Sequence, residues 1–149
     1  MKKRVLFLCT ANSCRSQMAE GIINHFLSGQ IEAFSAGVAP TFVHPRAISS
    51  LAEIGIDISG QHSKGLEEFD SQTFDYVITL CQSAREQCPL YFGGGKRLHM
   101  GFDDPAVVDG SEEEVGAAFR RVRDEIKDRL LAFFAEELNG GGEHDNGNQ

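Results

Sequence analysis

Apolar residues follow two different spacings along the chain, and these spacings predict alternating strands and helices. Short apolar runs predict four strands, at residues 4–8, 32–34, 75–80 and 96–99. Apolar positions that recur on one helical face predict longer helices at 15–27, 45–54 and 112–138. A short helix is predicted at 83–87, where Pro89 limits its continuation.

This alternation is typical of an α/β fold in which helices flank one parallel sheet of four strands with right-handed crossovers. The length of 149 residues is that of a single domain. We assign the domain to residues 1–138. The tail at 139–149 is rich in Gly, Asn and acidic residues, and we expect it to be disordered.

Composition narrows the choice of partners. A formal net charge of −8 argues against nucleic acid as a partner, although a small anion would respond to local dipoles instead. No apolar stretch approaches the roughly 20 residues of a membrane span. The basic N-terminus precedes an apolar run that is too short for a signal peptide, so we expect a cytoplasmic protein and, by default, a monomer.

The run from Cys9 to Arg15 lies between a predicted strand and a predicted helix, where backbone N–H groups face a bound anion. The guanidinium of Arg15 matches two oxygens of a tetrahedral oxyanion. Its positive charge predicts a lowered pKa for Cys9 and a thiolate at neutral pH, placed for in-line attack. The residues between them are small enough for a tight curl: Thr10, Ala11, Asn12, Ser13 and Cys14. This oxyanion loop (residues 9–15) predicts an enzyme that acts on phosphate or arsenate. The alternative is a buried strand-end cysteine beside a surface arginine.

Three further cysteines extend this chemistry. Two roles are open for Cys14. We favour a small loop residue that packs inward; the alternative is a thiol that protects Cys9 by forming a disulfide with it. If a single helix joined Cys81 to Cys88, their Cα atoms would lie roughly 10 Å apart, beyond the reach of a disulfide. A bond between them would require the segment to unwind, which suits a redox relay; two thiols without a role are the alternative.

None of the cysteine spacings matches a common zinc site, and His44, His62 and His99 form no metal-ligand pattern, so surface or capping roles are expected for these histidines.

A general acid would supply the proton that a departing oxygen needs. Asp103 and Asp104 precede Pro105, in a predicted loop before the last helix. The residues alone leave both carboxylates open for this role. They also leave open a plain turn in which the carboxylates cap a helix.

The run VLFLCTANSCRSQMAEG at residues 5–21 resembles the opening of the low-molecular-weight tyrosine phosphatase superfamily, and CRSQMAEG within it resembles the arsenate reductase branch. The likeness continues through FSAG (34–37), IDIS (56–59), VITLC (77–81), GFDDPA (101–106) and RVRDEI (121–126). It covers roughly residues 4–135 in order, and implies the phosphatase-like fold.

The resemblance implies a sequence of thiol steps. Cys9 attacks arsenate, Asp104 serves as the general acid, and Cys81 then attacks the adduct to release arsenite and form a Cys9–Cys81 disulfide. Cys88 next attacks Cys81 to form a Cys81–Cys88 disulfide, which thioredoxin reduces; no bound cofactor is implied.

The resemblance also implies that Asn12 would stabilise the loop and that Ser16 would orient Cys9. The alternatives are a tyrosine phosphatase, a non-catalytic redox or arsenical sensor and, more distantly, a zinc-binding module. Against the phosphatase, Ala106 and the valines after it stand where phosphatases usually carry aromatic residues.

One departure from the family pattern concerns a cation. Some relatives bind potassium beside the loop through residues that match Asn12, Glu20 and Ser35 and through an acidic residue after the IDIS run. This chain has Lys64 at the place of the acidic residue. We hypothesise that the Lys64 ammonium occupies the cation position and pairs with Glu20; a plain surface lysine is the alternative.

Overall fold

The sheet of this protein contains four parallel strands in the order β2-β1-β3-β4. The structure is a computed structural model that describes residues 2–81 and 95–140. The strands are β1 (Lys3–Cys9), β2 (Ile31–Gly37), β3 (Tyr76–Thr79) and β4 (Lys96–His99). The predicted α/β class and four-stranded parallel sheet are therefore confirmed.

In the described part of the chain, three helices connect and cover the strands: α1 (Arg15–Phe26), α2 (Pro45–Ala52) and α3 (Glu112–Ala135). Two 3-10 turns, Leu66–Phe69 and Pro105–Val107, had no counterpart in the prediction. The predicted helix at 83–87 and Cys88 lie outside the described residues. Within the described residues, no helix has both the length and the apolar character to cross a membrane.

Strand β2 is longer than predicted. It continues past Phe34 to Gly37, because Gly37 pairs in register with Cys9 at the end of β1. A Cβ atom on Gly37 would lie 2.7 Å from backbone atoms of both Thr10 and Asn12. Glycine is therefore required here by the close approach of the loop that follows β1, and it does not end the strand.

The last helix also ends differently from the prediction. A π-helical turn at Glu136–Gly140 follows α3 and includes Asn139 and Gly140, the first two residues of the segment for which disorder is predicted. Glu137 anchors this turn, since its carboxylate accepts hydrogen bonds from the Tyr76 hydroxyl and from Lys96 Nζ. Residues 141–149 lie outside the described part of the chain.

The central strand β1 is buried on both faces, which explains its unbroken apolar sequence. Val5 and Phe7 pack in the larger cluster, which holds the apolar faces of α1, α2 and α3. Leu6 and Leu8 pack in a second cluster on the other face, and that cluster also contains Cys9 and Cys81. Both cysteines therefore lie where the central strands end, the position expected for a site in such a sheet.

Gly116 lies inside α3, where glycine weakens a helix by about 0.5–1 kcal/mol relative to alanine. A Cβ atom there would meet only guanidinium nitrogens of Arg46 and Arg120, at 3.6–4.0 Å. We expect Gly116→Ala to raise the melting temperature by about 2–4 °C in thermal unfolding followed by circular dichroism. Gly37→Ala is the contrasting variant and should lower it. An unchanged or lower melting temperature for Gly116→Ala would contradict this expectation.

Candidate active site

The backbone of the oxyanion loop is oriented by hydrogen bonds on its outer side. N–H groups of residues 38–44 donate to four of its carbonyl oxygens, those of Cys9, Thr10, Ala11 and Ser13. In a trans peptide the N–H points away from the C=O. Carbonyl groups that face outward therefore turn the intervening N–H groups inward, toward the centre of the loop and the start of α1. This is the cradle of donors that the sequence predicts for an anion.

Asn12 holds the loop in shape. Its backbone is left-handed, with φ of 49°, a conformation that asparagine tolerates better than most residues. The buried side chain donates to the hydroxyls of Ser16 at 2.8 Å and Ser35 at 2.9 Å. Its Oδ1 atom accepts from Gln17 Nε2 at 2.8 Å and from the backbone N–H of Lys64 at 2.9 Å. The loop is thereby tied to α1, to β2 and to the 62–64 segment.

Arg15 presents its guanidinium to the same cavity. Its Nη1 atom donates to the carbonyl oxygen of Phe102 at 3.1 Å, and Nη2 lies 3.5 Å from Asp104 Oδ2. The Nε atom is buried and has no hydrogen-bond partner among the described residues. A buried donor without an acceptor costs about 1–3 kcal/mol, so an anion oxygen at this position would satisfy it.

The structure separates the two aspartates that the residues alone left open. Asp104 lines the cavity of about 390 Å³ that also exposes Cys9 and Arg15. Its Oδ1 atom accepts from the N–H of Ala106 at 3.0 Å, so it caps a 3-10 turn as well. Asp103 is exposed and pairs with Arg121 on α3 at 3.6 Å. Of the two aspartates, Asp104 is therefore the one that lines the cavity.

The sulfur of Cys81 lies against the end of β1. It is 3.1 Å from Thr10 Oγ1, and it shares a hydrogen bond with Cys9. That hydrogen bond and burial raise the pKa of the Cys9 thiol, while Arg15 and the N–H of Thr10 act to lower it. The net direction is upward, opposite to the lowered pKa that the sequence predicts for Cys9. The proximity of Cys81 is the reason, and spacing along the chain did not reveal it.

Cys14 packs inward, as expected for a small residue of the loop. It is buried in the larger core cluster, and its sulfur lies 3.9 Å from Asp104 Oδ1. Burial first and the nearby Asp104 carboxylate second raise its pKa to about 11. Cys14 is therefore a neutral thiol at physiological pH.

The Lys64 ammonium lies in a small polar enclosure and not on the open surface. Its Nζ atom is 3.5 Å from Glu20 Oε1, 3.4 Å from Ser35 Oγ and 2.9 Å from the carbonyl oxygen of His62. The Lys64 side chain is only 9% exposed and that of Glu20 only 15%. The Ser35 hydroxyl donates to Glu20 at 2.6 Å, which completes the enclosure. The surface-lysine alternative is excluded by this burial.

Several residues of the site were not identified from the sequence. Gln17 is fully buried and donates to Asn12 and to the carbonyl oxygen of His62, and Ser63 Oγ donates to the carbonyl oxygen of Ala11. The sequence offered one indication of this role, namely that Gln17 is a polar residue at a buried position of α1. The same cavity is also lined by Thr41, Phe42, His44 and Ala106.

The described histidines have roles other than metal binding. Across residues 2–81 and 95–140, no cluster of three or more His, Cys, Asp or Glu side chains could hold a metal ion. His44 caps α2, since its Nδ1 atom accepts from the N–H of Arg46 at 3.1 Å. His99 Nδ1 lies 2.8 Å from the Thr79 hydroxyl. The predicted capping role is thus confirmed for His44.

The influence of Cys81 on Cys9 can be measured. Cys81→Ala removes the hydrogen bond that favours the protonated Cys9 thiol, so the pKa of Cys9 should fall, by about one on the pH scale. The measurement is the pH dependence of Cys9 alkylation by iodoacetamide, followed by peptide mass spectrometry. Cys81→Ser retains an acceptor and should change the profile less. An unchanged or higher midpoint in Cys81→Ala would contradict this account.

Comparison with known proteins places the chain in a family. Residues 4–142 match the low molecular weight phosphotyrosine protein phosphatase model. An arsenate reductase of Halalkalibacterium halodurans is 48% identical over 132 residues, which cover 89% of this chain and 95% of that protein.

Solved structures of arsenate reductases share the fold of this chain. An arsenate reductase in its phosphate-binding state superposes with a TM-score of 0.78 at 37% identity, covering 91% of this chain and 98% of the other. A thioredoxin-dependent arsenate reductase of Corynebacterium glutamicum superposes with a TM-score of 0.58 at 31% identity, covering 88% of this chain and 63% of the other. The chain belongs to the low molecular weight phosphotyrosine protein phosphatase family.

Proposed function

We propose that this protein reduces arsenate to arsenite, with Cys9 as nucleophile and thioredoxin as the electron donor. The observation that carries the proposal is the second thiol, Cys81, which lies in the same buried cluster as Cys9, with its sulfur 3.1 Å from the hydroxyl of Thr10, the residue after Cys9. Hydrolysis of a phosphate ester needs one nucleophilic cysteine, whereas reduction needs a second sulfur that can attack the first. The names of the relatives support arsenate as the substrate, and that of the Corynebacterium protein supports thioredoxin.

In the first step, the oxyanion loop and Arg15 Nε hold arsenate, and the sulfur of Cys9 forms a bond to the arsenic. One arsenate hydroxyl leaves as water. The Cys9 thiol supplies the proton that this hydroxyl needs, so the raised pKa of Cys9 is compatible with a substrate that arrives as a dianion. Asp104, on the cavity wall, is the carboxylate placed to relay that proton.

In the second step, the sulfur of Cys81 attacks that of Cys9. The S–As bond breaks, its electron pair reduces arsenic from the +5 to the +3 state, and a Cys9–Cys81 disulfide forms. The Thr10 hydroxyl, 3.1 Å from Cys81 Sγ, is positioned to donate to the attacking thiolate. Cys88 then attacks Cys81 and frees Cys9, and the dithiol of thioredoxin reduces the Cys81–Cys88 disulfide. Cys88 enters the proposal from the sequence alone.

The test is arsenate-dependent oxidation of NADPH in the presence of thioredoxin and thioredoxin reductase. We expect multiple turnovers that require both arsenate and thioredoxin. Hydrolysis of an aryl phosphate is assayed in parallel, because Phe42 lines the cavity with an aromatic ring and the loop would hold phosphate in the same way. Hydrolysis without arsenate turnover would move the assignment to phosphatase, and inactivity in both assays would favour the sensor.

Two cysteine variants in the same assay separate the steps of the relay. Cys88→Ser should release about one equivalent of arsenite per protein and then stop, because Cys9 stays trapped in its disulfide with Cys81. Cys81→Ser should release none, because the adduct on Cys9 has no attacking thiol. Repeated turnover by Cys88→Ser with thioredoxin would overturn the relay.

We also propose that the Lys64 ammonium supplies the positive charge that potassium supplies in some relatives. Its contacts with Glu20, Ser35 and the His62 carbonyl oxygen are the oxygen set that a bound cation would use. Through Ser35 and Asn12 this charge is connected to the oxyanion loop. The role suits a protein whose overall charge of −8 would otherwise oppose binding of a dianion.

The rate of arsenate reduction should accordingly be the same in potassium and in sodium chloride. Lys64→Asp replaces the ammonium by an acidic side chain, and we expect its activity to become stimulated by potassium over sodium. Lys64→Met leaves the Glu20 carboxylate without its cation, so its free energy of unfolding should fall by about 3 kcal/mol in chemical denaturation. A marked potassium stimulation of the unmodified protein would contradict this assignment.

A further inference from the structure

We propose that Arg129, on the surface of α3 and outside the cavity, is a positioning residue that orients the guanidinium of Arg15 for oxyanion binding. The inference rests on the oxyanion site of the proposed function. It is independent of the thioredoxin relay.

Arg129 holds two consecutive residues that lie between β4 and Asp104. Its Nη1 atom donates to the carbonyl oxygen of Gly101 at 2.9 Å, and its guanidinium carbon lies 4.6 Å from the centre of the Phe102 ring. On the other side, the backbone N–H of Phe102 donates to the carbonyl oxygen of Leu80 at 3.2 Å. The peptide of Phe102 is therefore fixed between the end of β3 and helix α3.

The carbonyl oxygen of Phe102 is the acceptor for Arg15 Nη1, at 3.1 Å. A guanidinium is planar, so an acceptor that fixes Nη1 also sets the direction in which the other N–H groups point. One of these is the buried Nε, which is unpartnered among the described residues. A displaced Phe102 carbonyl would leave Arg15 free to turn toward Asp104, whose carboxylate is already 3.5 Å from Nη2. Arg129 thus favours the orientation that offers Nε to an anion.

A second arginine on the same helix provides a matched control. Arg121 also contacts this loop, but through the exposed carboxylate of Asp103 at 3.6 Å, a surface ion pair. Removing Arg121 takes away the same charge from the same helix without touching the Phe102 carbonyl. A general loss of positive charge would weaken anion binding equally in the two variants.

The experiment measures the affinity of the reduced protein for inorganic phosphate, by calorimetry and by protection of Cys9 from iodoacetamide. Arg129→Ala should bind phosphate about threefold to tenfold more weakly than the unmodified protein, the effect of losing one hydrogen bond and one cation–π contact. Arg121→Ala should bind it as the unmodified protein does. Arg129→Lys retains a cationic donor and should recover part of the loss, whereas Arg129→Met retains only the apolar stem and should not.

Thermal unfolding without phosphate separates positioning from stability. We expect Arg129→Met and Arg129→Lys to have similar melting temperatures but different phosphate affinities. If Arg129→Ala fails to fold, these two variants still test the positioning role of Arg129. Equal affinities in the lysine and methionine variants, equal losses in the Arg129 and Arg121 variants, or no loss at all would overturn the role of Arg129. If the unmodified protein binds neither phosphate nor arsenate, the oxyanion site itself fails, and the proposed function fails with it.

Discussion

The buried amide of Asn12 is the interaction on which the rest of the site depends. A left-handed residue in the middle of the oxyanion loop is needed to turn the chain back toward α1, and it is stable only if its polar side chain finds partners. Four hydrogen bonds supply them, from α1, β2 and the 62–64 segment. The loop can therefore hold its N–H groups inward before any anion binds, which lowers the cost of ordering on binding.

The pairing of Cys9 with Cys81 changes what the loop can do. The hydrogen bond to Cys81 and burial raise the pKa of Cys9, whereas the charge of Arg15 lowers it. The same contact places the second sulfur next to the first, which is what an intramolecular disulfide step requires. The raised pKa and the proposed redox chemistry therefore have one structural cause, the adjacency of β1 and β3 in the sheet.

Two largely buried cations lie around the loop, although the protein as a whole is acidic. Arg15 enters the cavity directly, and Lys64 lies behind it, buried against Glu20 and joined to the loop by Ser35 and Asn12. Each cation is paired with a carboxylate, Asp104 or Glu20, so neither is buried alone.

The sequence by itself determined the α/β class, the four parallel strands and the oxyanion loop, because local periodicity and a contiguous motif carry that information. It also directed attention to Cys81, since carboxyl ends of parallel strands meet at one edge of the sheet. Only the tertiary structure decided that Asp104 and not Asp103 faces the cavity, that Lys64 is buried, that β2 runs to Gly37 and that the surroundings of Cys9 raise its pKa. Those outcomes depend on contacts between residues far apart in the chain, such as Cys9 with Cys81 or Arg15 with Phe102. Local patterns do not encode such distances, which arise from how strands, loops and α3 pack together.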